Sequence, residues 1–143
     1  MRPQLAAGVV AVALAAIALL HVYWGVAGTS GRSSAIPEAG GRPLFQPTRA
    51  ACFAVAAALF AATWVLLVSA GHLPALGLPW LGMAGAATVG AVLVARAIGD
   101  FRYVGFFKRV HGTEFALLDT RLFSPLCLAL GALALWAAFG PRR

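Results

Sequence analysis

The sequence predicts an all-α polytopic membrane protein, folded as an antiparallel bundle of four transmembrane helices. Of its 143 residues, 62% are hydrophobic and only 10% are charged, whereas an ordinary soluble domain is roughly a quarter charged. The apolar residues are also gathered into runs close to the roughly 20 residues that cross a hydrocarbon core. A soluble domain of this size needs polar residues over most of its surface. These runs of Ala, Val and Leu have none, so lipid is their solvent.

Four spans follow, at 4–26, 48–70, 79–98 and 113–139. In the first, the apolar run from Leu5 to Leu20 passes directly into His21, Tyr23 and Trp24, the aromatic end typical of a helix leaving the acyl region. Arg2, that run and Gly25-Val26-Ala27 also imitate a signal peptide with a small-x-small cleavage site. The continuous passage into an aromatic end favours a retained span. In the third, Gly82, Gly85 and Gly90 with Ala86 and Ala87 make a close-packing face, for use inside the bundle or against another membrane protein. The fourth is short if it begins at Ser124. It reaches full length only from Thr113-Glu114, which reads as an N-cap ahead of Phe115. Ser124-Pro125 is then either a fresh cap with Pro at the first helical position or a break inside one longer helix.

The connections differ in kind. Residues 28–47 are rich in Gly, Ser, Pro and Arg without apolar periodicity, and are expected to run irregularly outside the hydrocarbon. Residues 71–78 form a short turn without formal charge. Residues 99–123 mix Asp100, Arg102, Lys108, Arg109, Glu114, Asp119 and Arg121 with Phe101, Tyr103, Phe106, Phe107 and Phe115. That mixture suits an interfacial segment with rings in the acyl boundary and charges among headgroups.

The formal charge of +7 comes from basic residues at the ends of apolar runs and between them, so it reads as headgroup contact and orientation rather than nucleic-acid binding. Arg2, Arg142 and Arg143 lie with the termini, and Arg32, Arg42, Arg49, Arg96, Arg102, Lys108, Arg109 and Arg121 lie with the first and third connections. The richer side is expected to face the cytoplasm of a cell-membrane protein. Cys52 and Cys127 form no CxxC pair, which disfavours thiol-redox chemistry.

Chain direction then places His21, Tyr23, Trp24, Arg96, Asp100, Arg102, Tyr103, Lys108 and Asp119 in one leaflet. Ionisable groups at that depth are expensive, so their collection is the candidate site. If the third helix continues past Ile98, Arg96 and Asp100 stand four apart on one face and neutralise each other; His21, Arg96, Asp100 and Asp119 would then form one polar network. His21 and Asp100 are the acid–base candidates; Tyr23, Trp24, Arg96, Arg102, Tyr103, Lys108 and Asp119 are the ligand-binding ones. No metal site is expected and no cofactor is named: HExxH and the Walker glycine loop are missing, and His21 and His72 sit on opposite faces, unlike a haem pair.

Three stretches carry a likeness: His21-Val22-Tyr23-Trp24-Gly25, the run from Arg96 through Gly99-Asp100-Phe101-Arg102-Tyr103-Val104-Gly105 to Lys108, and Phe115-Ala116-x-x-Asp119-Thr120 followed by Ser124-Pro125-Leu126-Cys127. Through them the chain resembles a bacterial domain-of-unknown-function family, number 3995, of small four-helix integral membrane proteins. The resemblance implies the four-helix topology and carries no activity.

Three functions are compatible with this sequence. The first is a site for a lipid-like, isoprenoid or quinone-like molecule with its polar end at the His/Arg/Asp cluster, in an enzymatic version or not. The second is a non-enzymatic accessory subunit or assembly factor packing on other membrane proteins. The third is a small oligomeric transporter. Expected partners are membrane lipids, a lipid-like ligand, and a membrane-protein partner or second copy.

Overall fold

A computed structural model describes residues 1–28, 35–78 and 80–141. Arg32, Arg142 and Arg143, used above for orientation, lie outside the described residues, as does Pro79 at the start of the third predicted span. Helix α1, Pro3–Ala27, opens on Pro3, whose missing N–H has no partner to lose in a first turn, and stops at Gly28 with φ +86°. Helix α2, Arg49–Ser69, is capped by Thr48, whose hydroxyl accepts the Ala51 N–H at 3.1 Å. Helix α3, Leu81–Ile98, stops at Gly99 with φ +93°. Helix α4, Glu114–Phe139, is capped by Thr113, which accepts the Ala116 N–H at 3.1 Å. All four are long and apolar enough to cross a membrane, and the chain is a multi-pass integral membrane protein.

Within α4, Pro125 cannot donate to the carbonyl four residues back. The helix neither restarts nor breaks there. It widens instead into a π turn, Asp119–Phe123, in which the Ser124 N–H donates to the Asp119 carbonyl five residues back. The single helix therefore continues through Ser124-Pro125.

The first connection is more regular than its composition suggests. Glu38–Ala39 (β1) and Arg42–Pro43 (β2) pair antiparallel, with Ala39 opposite Arg42. Gly40 and Gly41, at φ +59° and +74°, supply the two left-handed positions that a two-residue hairpin turn needs. Ile36 is folded back and buried.

The chain makes two close hairpins, α1 with α2 and α3 with α4, which meet along α2–α3 and α1–α4. The termini share one face, where Trp136 Nε1 donates to the Met1 carbonyl at 3.0 Å; the first and third connections share the other. The core is built of small side chains around Val10, Leu14, Leu66 and Leu130, with Ala7, Ala86 and Ala134 between them. Large apolar residues face outward, Val12 at 72% exposure, as lipid solvation allows.

Close approach between helices rests on glycine. A Cβ on Gly82 would lie 2.9 Å from the Ser69 Cα, and one on Gly85 would lie 2.6 Å from the Val65 Cβ. Gly90 and Gly131 face each other, each with its Cβ position about 3 Å from the other's carbonyl oxygen. The glycines of α3 are thus occupied inside the bundle. Gly131→Val is expected to cost about 1–3 kcal/mol by overpacking, read as a lower melting temperature in detergent. Gly8→Ala, where no atom lies within 4 Å of the added Cβ, is expected to leave the melting temperature unchanged or raised. Equal losses from both would contradict this packing.

Candidate functional site

The strongest polar assembly in the leaflet centres on Asp119, which is fully buried in the π turn. Its Oδ1 accepts from Arg96 Nη2 of α3 at 2.8 Å. Its Oδ2 accepts from Lys108 Nζ at 2.9 Å, from the Gly105 N–H at 2.8 Å and from the Ser124 hydroxyl at 3.1 Å. Lys108 is buried as well, and its ammonium donates to three acceptors: Asp119, the Gly105 carbonyl at 2.9 Å and the Thr120 hydroxyl at 2.7 Å. An ammonium has three protons to give, so Lys108 is saturated. Two cations against one carboxylate leave the assembly one positive charge in excess. Arg96, whose side chain is 32% exposed, brings that charge toward the headgroup level. Its Nη1 is buried without a hydrogen-bond partner among the described residues.

The third connection closes on itself before it reaches this centre. Asp100 Oδ1 accepts the N–H groups of Arg102, Tyr103 and Val104 at 2.9, 2.7 and 2.9 Å, so a side chain replaces the acceptors that the helix no longer offers. Slight burial pushes the Asp100 carboxyl up, and the three amides outweigh it and hold the group below its ordinary value. Gly99 and Gly105, at φ +93° and +89°, lie against each other's neighbours; a Cβ on Gly99 would overlap the Val104 carbonyl oxygen. The Phe106 N–H returns to the Ala97 carbonyl at 2.8 Å, tying the loop to the end of α3. Phe101, Phe106 and Phe107 stay exposed on its surface.

His21 sits apart from this centre. Its Nδ1 lies 2.8 Å from the Ile17 carbonyl of the preceding turn, and its ring meets Trp24 edge-on at 5.0 Å between centroids. These two line a cavity of about 210 Å³ with Cys52 and Val55 of α2 and Ile36 and Phe45 of the first connection. Val55 also lines a second hollow of about 350 Å³, a crevice open to the lipid between α2 and α3. Its walls include Ala58 and Ala62 on one side and Thr88 and Val92 on the other, with Leu14 of α1 on the floor. The two hollows follow common faces: Leu14 and His21 are seven apart on α1, and Ala51, Val55, Ala58 and Ala62 follow one stripe of α2.

Of the residues that the sequence singled out, the structure joins Arg96, Lys108 and Asp119 directly. The expected Arg96–Asp100 pair is not formed, because Gly99 ends α3 before Asp100 can occupy the next turn; the partner of Arg96 is Asp119. The expected network of His21, Arg96, Asp100 and Asp119 is likewise corrected, since His21 bonds within α1 and Asp100 bonds to backbone. Arg102 lies over the Tyr103 ring at 5.1 Å, and Tyr23 is exposed beyond the His21 cavity. Gly105, Thr120 and Ser124 were not among the candidates. The lone signal for Ser124 is its place five residues after Asp119 and just before a proline.

The model of a family described as "Protein of unknown function (DUF3995)" matches residues 14–134, most of the chain. No curated protein and no solved structure matches it.

Removing the carboxylate by Asp119→Ala leaves two cations uncompensated and is expected to cost about 3–5 kcal/mol, with Lys108→Met/Asp119→Leu recovering part of the loss. Melting in detergent measures both, and additive losses would dismiss the coupling. Asp100→Ala should leave the melting temperature nearly intact while amide exchange at Arg102–Val104 accelerates. Because the folded-state value of Asp100 is lowered, its contribution is present above the ordinary aspartate value of about 3.9 and is lost as pH falls through the folded value. Protection of those amides should follow that course.

Proposed function

The chain belongs to that family of unknown function, and from its own geometry we propose that it holds a lipid-like small molecule, isoprenoid in character. The polar end lies at His21 and the tail lies in the α2–α3 crevice. The observation that carries this reading is Val55, which lines both hollows: a cavity with polar groups and a lipid-facing apolar slot share one wall. Their combined volume lies in the range of about 300–1,000 Å³ usual for small-molecule sites. The polar end is thus His21 with Trp24, while Arg96, Lys108 and Asp119 position the third connection.

Chemistry at Asp100 fits poorly with its three amide bonds, so the reading is of binding rather than turnover. The glycine face of α3, which an accessory subunit would turn to a partner, meets Ser69, Val65 and Leu135 within the bundle. We place the molecule in the cell membrane with its first and third connections cytoplasmic, on the Lys and Arg distribution.

Native mass spectrometry of the purified protein, with lipid analysis of what dissociates, tests the reading. Wild type is expected to carry one small lipid-like molecule per bundle, and Val55→Trp to lose it. Val12→Trp, on an outer face at 72% exposure, should retain it. Equal retention by Val55→Trp would overturn the proposal.

A further inference from the structure

Resting on the reading that the two hollows hold a lipid-like molecule, we infer that its polar end is an uncharged hydroxyl, as in a prenol-type alcohol, and neither a phosphate nor a quinone carbonyl. The first ground is charge. Among the described residues lining the His21 cavity there is no Lys, Arg, Asp or Glu, and an anion buried there would lack a counter-charge. Of the cations on this side, Lys108 donates to three acceptors and Arg96 pairs with Asp119, and neither lines the cavity. Arg42, within the first connection, and Arg49, at the start of α2, are exposed, as are Arg102, Arg109 and Arg121, and none of these lines the cavity.

The second ground is hydrogen-bond polarity. The Ile17 carbonyl only accepts, so His21 Nδ1, 2.8 Å away, must carry the proton and donate it. In that tautomer Nε2 is a lone-pair acceptor, and it has no hydrogen-bond partner among the described residues. A hydroxyl supplies the missing proton. A quinone carbonyl sets lone pair against lone pair at Nε2 and is left with the Trp24 indole alone as a donor. The indole of Trp24, a donor, lines the same cavity, and a hydroxyl can accept from it while donating to His21. The slot below is apolar apart from Thr88, as a hydrocarbon tail requires.

The test compares three probes with the same geranylgeranyl tail, differing in the head alone: the alcohol, its monophosphate, and a naphthoquinone. Binding to the full chain in detergent is followed by native mass spectrometry titration. The alcohol should bind about tenfold more tightly than either other probe, the worth of one well-made buried hydrogen bond. His21→Phe should remove that advantage, and His21→Gln, which keeps an acceptor, should retain much of it. The Gln variant guards against a folding defect, and the melting temperature of each variant confirms its fold. A phosphate or quinone that binds as well as the alcohol, or an advantage that survives His21→Phe, overturns the hydroxyl assignment while the site itself stands. If Val55→Trp leaves all three probes bound as in wild type, or if none binds wild type, the underlying site fails as well.

Discussion

In surroundings with almost no water, one carboxylate holds the polar side of this protein together. Asp119 accepts from Arg96, Lys108, Gly105 and Ser124, which brings α3, the third connection and α4 to one point. A buried ion pair is weak evidence for net stability, since desolvation can cancel the attraction. Its value here is positional. The stretch between Ile98 and Thr113 has no helix or strand of its own, and without a fixed anchor its charges would be free to spread among the headgroups. Lys108 makes that stretch part of the bundle: a buried ammonium with three acceptors tolerates little displacement, because any lost bond leaves a desolvated charge.

The backbone is shaped to make this anchor possible. In a regular α-helix a residue five positions on is turned by roughly 140° at 3.6 residues per turn, which would carry the Ser124 hydroxyl away from Asp119. The π turn places position 124 above position 119, so the N–H meets the Asp119 carbonyl and the hydroxyl meets the carboxylate. Pro125, unable to donate an N–H, favours the widening that brings these groups together. On the other side of the anchor, Gly99 and Gly105 allow two segments of the loop to touch, and Asp100 accepts from the loop amides of Arg102, Tyr103 and Val104. The charged run from Arg96 to Lys108 is in this way mostly architecture.

The spans were legible because lipid imposes length and composition directly: each run of Ala, Val and Leu had to be a helix to satisfy its backbone. Both threonine caps, Thr48 and Thr113, were written at the proper distance from their helices. The pairing of Arg96 was not legible, since helical spacing made Asp100 look available while its true partner, Asp119, lies far along the chain. A local signal did exist in Gly99-Asp100, a helix-stopping glycine followed by a residue that caps turns. The separation of His21 from the other charges had no such signal. It depends on how α1 and α2 close around the first connection, and tertiary packing of that kind leaves no periodic trace.

In the proposed reading, two regions of one leaflet take different tasks. The Asp119 centre, with its saturated Lys108, holds structure; the His21 cavity has a ring nitrogen without a partner among the described residues and shares Val55 with an apolar slot. Photolabelling tests this division most directly, using a diazirine derivative of geranylgeraniol followed by peptide mapping of the cross-linked protein. Adducts are expected on α1 near His21 and on α2 near Val55 and Ala58, suppressed by excess unlabelled alcohol. Adducts concentrated in residues 99–123, with α1 and α2 unlabelled, would contradict it.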